Sequence, residues 1–341
     1  MEKESSYECD ALTLQRILMY NQRAHPQATG DLSNLLTSLL TAIKEISAVV
    51  RREGLARTVH AQELAGGKAI QTDFSKPLPQ LCHELMVHIL KSSHSTCAIV
   101  SENSKDLIIV EPERQGKYIV AVDPLDGSSN IDCLASIGTI FGIFKKTTEG
   151  PVTEADVLQS GRQMLAAGYA LYGSATSVVI STGNGVNSYL LDPSVGEFIL
   201  VHRGLKIPSK GKVYSINEGY AAGWPKAIAD YVHTRKFPEG GKPPMALRYI
   251  GSMVPDVHRT LLYGGIFIYP AVASAPEGKL RMLYEVLPIA FLVEQAGGMA
   301  TNGKEMVMDL KPSSIHAKCP AILGSREDVE EFMSFVKKHE Q

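Results

Sequence analysis

The chain has 341 residues, 44% hydrophobic and 21% charged, which fits one large globular domain or two smaller ones. A formal net charge of -2 supplies no global basic field for nucleic acid and no polybasic tail, and the apolar runs fall well short of a membrane span. The expected partners are therefore neither nucleic acid nor membrane.

The opening Met1-Glu2-Lys3-Glu4-Ser5-Ser6 is acidic and polar, unlike a signal peptide or an Arg-rich transit peptide. A short helix is predicted near 10–23. Ala28-Thr29-Gly30-Asp31-Leu32 joins it to an amphipathic helix over roughly 33–53, where Leu36, Leu39, Leu40, Ile43 and Ile46 fall at helical spacing. Residues from Thr29 to Ser33 can cap that helix and leave N–H groups free at its start. The middle of the chain reads as strands near 97–101, 107–110, 117–122 and 137–145, then a helix near 154–172. Strands follow near 176–182, 187–192 and 197–202, the last two joined by Asp192-Pro193-Ser194-Val195-Gly196. Lys206-Ile207-Pro208-Ser209-Lys210-Gly211 reads as a connector, with a boundary near 205. Helices are predicted near 225–236, 254–263, 284–296 and 326–338; Val286, Ile289, Ala290 and Val293 give the third an apolar face, and Gly297-Gly298 stops it. Mixed elements in this order imply an α/β fold of layered sheets covered by helices. Five scattered cysteines (Cys9, Cys82, Cys97, Cys133, Cys319), with no Cys-x-x-Cys pair, fit reduced thiols of a cytosolic protein better than a disulfide framework or a zinc site.

The most informative stretch is Val122-Asp123-Pro124-Leu125-Asp126-Gly127-Ser128-Ser129-Asn130. It comes after the apolar run Tyr118-Ile119-Val120-Ala121-Val122, so it reads as a buried strand closing in a tight loop. Two carboxylates at such a point repel each other unless neutralised, and Mg²⁺ characteristically takes one or two carboxylates plus substrate phosphate oxygens. Gly127-Ser128-Ser129 offers N–H groups and hydroxyls to an anion. The plainer alternative is an acidic surface turn.

Further blocks accompany it: Gly168-Tyr169-Ala170-Leu171-Tyr172-Gly173, Tyr214-Ser215-Ile216-Asn217-Glu218-Gly219, Arg248-Tyr249-Ile250-Gly251-Ser252-Met253, Val257-His258-Arg259-Thr260-Leu261, and Gly278-Lys279-Leu280-Arg281-Met282-Leu283-Tyr284-Glu285. With these blocks in order along nearly its whole length, the chain resembles the fructose-1,6-bisphosphatases, within the lithium-sensitive sugar phosphatase superfamily. The resemblance implies a layered α/β sandwich in two parts, 1–204 with allosteric helices and metal loop and 205–341 binding the sugar and 6-phosphate, assembled as a cytoplasmic homotetramer. It also implies Mg²⁺-dependent hydrolysis of fructose 1,6-bisphosphate to fructose 6-phosphate and phosphate in gluconeogenesis, with Mn²⁺ or Zn²⁺ as other metals. Carried over residue by residue, Glu102, Asp123, Asp126, Glu285 and the Leu125 carbonyl are metal ligands, and Asp73 lies on a loop that reaches the site. Asp73, Glu102, Asp126 and Arg281 are the catalytic set. Gly127, Ser128 and Ser129 match contacts to the reacting phosphate; Asn217, Tyr220, Tyr249, Met253, Tyr269, Lys279 and Arg281 match the sugar and 6-phosphate site, and Arg248 matches an arginine reaching in from a neighbouring subunit. Thr29, Gly30, Asp31, Leu32, Ser33, Lys117, Tyr118 and Lys145 match an allosteric AMP pocket with phosphate on a helix start. Lys145 stands where many animal members carry Arg, which keeps the charge and loses the planar fork, and Thr182 stands where some carry a larger apolar residue. Taken singly, Glu285 would read as a helix cap, Tyr249 and Tyr269 as core aromatics, and Lys279 and Arg281 as a solvated face.

Two positions depart from the family. From about Arg57 to His83 the chain does not follow it, and Pro79 falls where members place a catalytic Asp; in Ser101-Glu102-Asn103, Asn103 replaces a second Glu. Proline has no side-chain base, and an amide orients water but does not take its proton at neutral pH. Three explanations stand open: a catalytically impaired member kept for binding or regulation, activity through a shifted base (Asp73, His83 or Glu84), or an error in the reported sequence. A different substrate, sedoheptulose bisphosphate or an inositol phosphate, is a further alternative; the Asn217, Tyr249, Tyr269 and Lys279 set argues against inositol.

Overall fold

A computed structural model describes residues 13–23, 25–64 and 77–340, without the side chains of 53–64 and 340. Eight strands, β1 (Thr96–Ser101), β2 (Ile108–Ile109), β3 (Tyr118–Asp126), β4 (Ile137–Lys145), β5 (Ala166–Tyr172), β6 (Thr176–Ser181), β7 (Val186–Asp192) and β8 (Glu197–Leu205), form one sheet in the order β2-β1-β3-β4-β5-β6-β7-β8. Only β1 and β3 run parallel; every other neighbouring pair is antiparallel. A second sheet, β10-β9-β11-β15-β13, is built from β9 (Val213–Ser215), β10 (Ala246–Leu247), β11 (Ile266–Tyr269), β13 (Met299–Thr301) and β15 (Ala321–Gly324). The short strands β12 (Leu280–Arg281) and β14 (Lys318–Cys319) pair with each other alone.

Helices α1 (Leu14–Arg23), α2 (Asp31–Leu64) and α3 (Leu78–Ser92) cover one face of the large sheet; α4 (Glu154–Val157) is a single turn. Between the two sheets lie α6 (Met253–Tyr263), a π-turn over Met282–Val286 and α7 (Leu287–Gln295), while α5 (Lys226–Lys236) and α8 (Arg326–Glu340) close the far face of the small sheet. The result is a five-layer αβαβα stack, the mixed α/β sandwich expected from the element order. The helical spacing of α2 places Leu36, Leu39, Ile43 and Ile46 against the large sheet, all fully buried. Because β3 is covered on both faces, all nine of its residues are buried, including the two aspartates at its end. No helix among the described residues is long and apolar enough to cross a membrane. Cys82, Cys97, Cys133 and Cys319 are free thiols.

Several sequence expectations need correction. The helix read over 154–172 is the single turn α4, a 3₁₀ turn at Gly161–Gln163, and then strand β5. Helix propensity of the alanines there gives way to pairing with β4 and β6 on both sides. Gly168 shows the constraint: a Cβ would lie 2.4 Å from Phe141 Cζ and 2.8 Å from the Val179 carbonyl oxygen. Helix α2 runs on to Leu64 instead of ending near 53. Helix α3 has no counterpart among the sequence expectations; it starts beyond Pro77, which opens the helix without losing a hydrogen bond. The small sheet is likewise absent from them, because its strands are two to four residues long, below the length at which a period of two can be counted.

Gly168→Ala tests the strand assignment. Overpacking against Phe141 and the β6 backbone is expected to cost about 1–3 kcal/mol in urea denaturation. Unaltered stability would mean that this segment is not clamped between two strands.

Candidate functional site

In a regular strand Asp123 and Asp126 would point to opposite faces. The β3–β4 register is interrupted between them, where Asp123 pairs with Ile140 and Asp126 with Gly138. Pro124 has no N–H to give the ladder, and its carbonyl accepts from Thr139 Oγ1 (2.8 Å). The Leu125 N–H folds back to Asp123 Oδ1 (3.0 Å). Both carboxylates thus turn to the side where the π-turn presents Glu285, and ligand oxygens of the three lie within 4.8 Å of one another.

All three are nearly inaccessible, at 2%, 6% and 8% exposure for Asp123, Asp126 and Glu285. Asp126 Oδ2 sits at the start of α6, accepting from Ser252 Oγ (2.8 Å) and the Val254 N–H (2.9 Å); Met253 opens that helix and is buried behind it. Glu285 accepts the Arg281 N–H, while Arg281 Nη1 donates to the His316 carbonyl (2.9 Å). Glu102 comes directly after β1, its N–H donating to the Val122 carbonyl (3.2 Å), and its exposed carboxyl contacts that of Asp123. Burial first, then the charges of Glu102, Asp126 and Glu285, push Asp123 well above the usual carboxylate range. Burial also raises Asp126, although the α6 donors oppose it. Glu285 is pushed up to about 8, chiefly by burial. Hard oxygen donors gathered at the cost of mutual repulsion fit a hard divalent cation; the cluster offers no His or Cys of the kind zinc sites favour.

Directly after the cluster, Gly127 adopts φ 79°, and a Cβ there would lie 2.2 Å from Ser252 Oγ. The chain then turns through a 3₁₀ segment, Ser128–Asn130, that leaves Ser128 and Ser129 exposed. A neighbouring cleft brings together Asn217, Tyr220, Tyr269 and Lys279, with Ile216, Trp224 and Pro270 beside them. The Lys279 ammonium lies 4.4 Å from the Tyr220 ring centroid. Tyr249 joins through a hydrogen bond with Asn217, and burial pushes its hydroxyl up to about 12. Arg248 is not brought into the cleft: it is exposed, and its Nη1 donates to the Leu247 carbonyl (2.7 Å). Its loop is held by buried Asp256, which accepts from the N–H groups of Ile250 (2.9 Å) and Gly251 (3.1 Å) and pairs with Arg259 (2.7 Å).

At the start of α2, Thr29, Gly30, Leu32, Ser33, Lys117, Tyr118, Lys145 and Thr182 line a cavity of about 1250 Å³. Asp31 is not among the lining residues but is held by two of them. Lys117 Nζ donates to Asp31 Oδ2 (2.6 Å) and Thr29 Oγ1 (2.9 Å), and Thr29 donates to Asp31 (2.8 Å). The Lys117 hydrogen bond, then that of Thr29, holds Asp31 below its usual value.

Asp73 lies outside the described residues. Pro79 occupies the first turn of α3, and Asn103 is exposed beside Glu102. Two residues left open by sequence are now placed. His83 Nδ1 lies 2.8 Å from Ser101 Oγ, with burial lowering its pKa, and Glu84 accepts from Gln80 Nε2 (3.0 Å). Sequence reasoning misses Ser252 and Asp256; each lies inside or beside a block already noticed, but no spacing rule marks a lone Ser or Asp as a brace.

Raised carboxylates make the folded chain hold more protons than the unfolded chain between the ordinary glutamate value of 4.5 and about 8. Metal-free stability from this cluster therefore falls as pH rises through that window. In chelator, the melting temperature is expected to drop with rising pH more steeply for the native chain than for Asp123→Asn. Added Mg²⁺ should raise it more at the alkaline end. Equal slopes for the two chains would show that the cluster is not the charged centre described.

Comparison with known proteins places these features together. Residues 12–203 match the family described as fructose-1-6-bisphosphatase, N-terminal domain, and residues 207–337 match fructose-1-6-bisphosphatase, C-terminal domain. The chain is 54% identical over 340 residues to fructose-1,6-bisphosphatase isozyme 2 of Rattus norvegicus, covering 100% of this chain and 99% of that protein. It is 53% identical over 339 residues to fructose-1,6-bisphosphatase 1 of Bos taurus, covering 99% of each. Similarity to the cytosolic fructose-1,6-bisphosphatase of Oryza coarctata is 52% over 326 residues, covering 96% of this chain and 94% of that one. Identity of this extent, spanning both the carboxylate cluster and the tyrosine-lined cleft, makes the chain a member of the fructose-1,6-bisphosphatase family.

Proposed function

We propose that this chain hydrolyses fructose 1,6-bisphosphate to fructose 6-phosphate and phosphate, a gluconeogenic reaction carried out in the cytosol. The single observation that carries this is full-length similarity to fructose-1,6-bisphosphatases in a chain whose buried Asp123, Asp126 and Glu285 meet within 4.8 Å. Glu102, Asp123, Asp126, Glu285 and the Leu125 carbonyl are the ligands for Mg²⁺. When bound, the ion supplies Lewis-acid stabilisation of phosphoryl charge and lowers the pKa of water. Gly127, Ser128 and Ser129 hold the 1-phosphate beside it, and Arg281 adds a fixed positive charge. Asn217, Tyr220, Tyr249, Tyr269 and Lys279 seat the sugar and 6-phosphate, with Met253 packed behind. A doubly phosphorylated sugar thereby meets positive charge at both ends.

Arg248, exposed on one chain, completes a neighbour's 6-phosphate site in a homotetramer. The cavity at the start of α2 takes AMP as an allosteric inhibitor, its phosphate on the helix start near Lys117. Pro79 and Asn103 offer no proton acceptor, so the base that takes the water proton is supplied elsewhere.

Phosphate release from fructose 1,6-bisphosphate with Mg²⁺ is the direct test. The native chain should turn over, and Asp123→Asn should abolish both turnover and Mg²⁺ binding; turnover unchanged in that variant would sink the assignment. Restoring carboxylates with Pro79→Asp and Asn103→Glu together is expected to raise kcat by up to roughly 10²–10⁴-fold. No increase would mean that another group already serves as base.

A further inference from the structure

Glu102 and Glu285 reach the cluster from segments distant in sequence, an exposed loop after β1 and the π-turn before α7. The His316 side chain touches both segments. Its Nε2 lies 3.2 Å from the Lys105 carbonyl oxygen, in the loop that begins at Glu102, and its Nδ1 lies 2.9 Å from Tyr284 Oη, one residue before Glu285. A carbonyl oxygen only accepts, so Nε2 carries the proton. Nδ1 of the neutral ring then accepts from the Tyr284 hydroxyl, and one tautomer satisfies both contacts. Tyr284 is fully buried, and its ring meets the imidazole edge-on with centroids 5.9 Å apart. On the loop side, the Ser104 N–H donates to the Ser101 carbonyl (3.1 Å) and Ser104 Oγ to the Asp106 carbonyl (2.8 Å), so a hold on Lys105 is a hold on the turn that carries Glu102.

The main chain at this point is secured separately. The His316 carbonyl accepts from Arg281 Nη1 (2.9 Å), and the Ala317 carbonyl accepts from the Met282 N–H (2.8 Å). Changing the imidazole therefore leaves the backbone partners of Arg281 and the π-turn in place.

We infer that His316 is a positioning residue, a strut between the Glu102 loop and the Glu285 turn that fixes the spacing of these two carboxylates for the divalent cation. It is not itself one of the proposed ligands of the ion or contacts to the substrate. The inference rests on the proposed function, in which these carboxylates hold the ion.

The test titrates the metal-free full-length chain with Mn²⁺ alone, read by the paramagnetic signal of the free ion, and tracks amide deuterium exchange over 102–106. His316→Phe keeps a ring and loses both polar contacts. It is expected to weaken Mn²⁺ binding by roughly 10–100-fold, the range typical of groups that orient metal ligands, and to speed exchange in that loop. In turnover, kcat should fall while KM for the sugar bisphosphate changes little. His316→Gln, whose amide N–H reaches toward Lys105, should recover part of the loss. Tyr284→Phe, which removes one hydroxyl, should give a smaller loss in the same direction, and it carries the test if His316→Phe does not fold. Unchanged Mn²⁺ affinity in both His316→Phe and Tyr284→Phe overturns the inference, as does faster exchange spread evenly over the whole chain. Equal Mn²⁺ affinity in Asp123→Asn and the native chain overturns the metal reading and the strut with it. Failure of the native chain to release phosphate from fructose 1,6-bisphosphate, with Mn²⁺ affinity still dependent on His316, sinks the substrate assignment and supports the strut.

Discussion

Repulsion among three buried carboxylates is the constraint around which the rest of this molecule is arranged. Asp123, Asp126 and Glu285 lie within 4.8 Å of one another and are almost sealed from water. An arrangement of this kind costs stability wherever it is charged, and nothing in a hydrophobic core calls for it. The fold supplies partial relief through donors: the α6 start for Asp126, the Leu125 N–H for Asp123, the Arg281 N–H for Glu285. These hydrogen bonds stabilise the ionised forms without cancelling their charge, so burial still leaves all three raised. What remains is a standing demand for a small multivalent cation.

Meeting that demand shapes both sheets. Strand β3 must be central and covered on both faces to bury two aspartates, and it must break its own ladder at Pro124 to aim them to one side. The π-turn needs an anchor at each end, found in the β12–β14 pair and the start of α7. The cleft of Asn217, Tyr220, Tyr269 and Lys279 uses the small sheet as its wall, since Asn217 lies just past β9 and Tyr269 ends β11. The short strands of that sheet look weak individually, yet they bring Asn217, Tyr220 and Tyr269 to one cleft, which Lys279 enters from the segment before β12.

Much of this is legible in the residues because it rests on local patterns. The run from Tyr118 to Val122 announces a buried strand, and Asp-Pro-x-Asp-Gly-Ser-Ser announces the carboxylate turn at its end. The large sheet is readable apart from β5, where small residues fit strand and helix alike and the neighbours decide. The small sheet is not readable, because strands of two to four residues carry almost no period. Glu285, Lys279 and the tyrosines stand out through the company they keep in family-like blocks, since each alone resembles an ordinary cap, surface or core residue. Ser252, Asp256 and His316 do not stand out as functional groups at all. Their importance lies in contacts with residues remote in sequence, and only three-dimensional proximity reveals it. At the end of segment 57–83 the chain enters helix α3, and Pro79 sits in its first turn.

One consequence concerns how the chain reaches its native state. The cluster draws two carboxylates from a strand of the first sheet and one from a turn packed between the two sheets. The large sheet alone would hold Glu102, Asp123 and Asp126 and lack Glu285. Only the completed chain gathers the full set, so an ion held there would stabilise the finished structure over one lacking Glu285. A cation held by the cluster would then also disfavour half-assembled chains, whose unpaired strand edges are the aggregation hazard of large sheets.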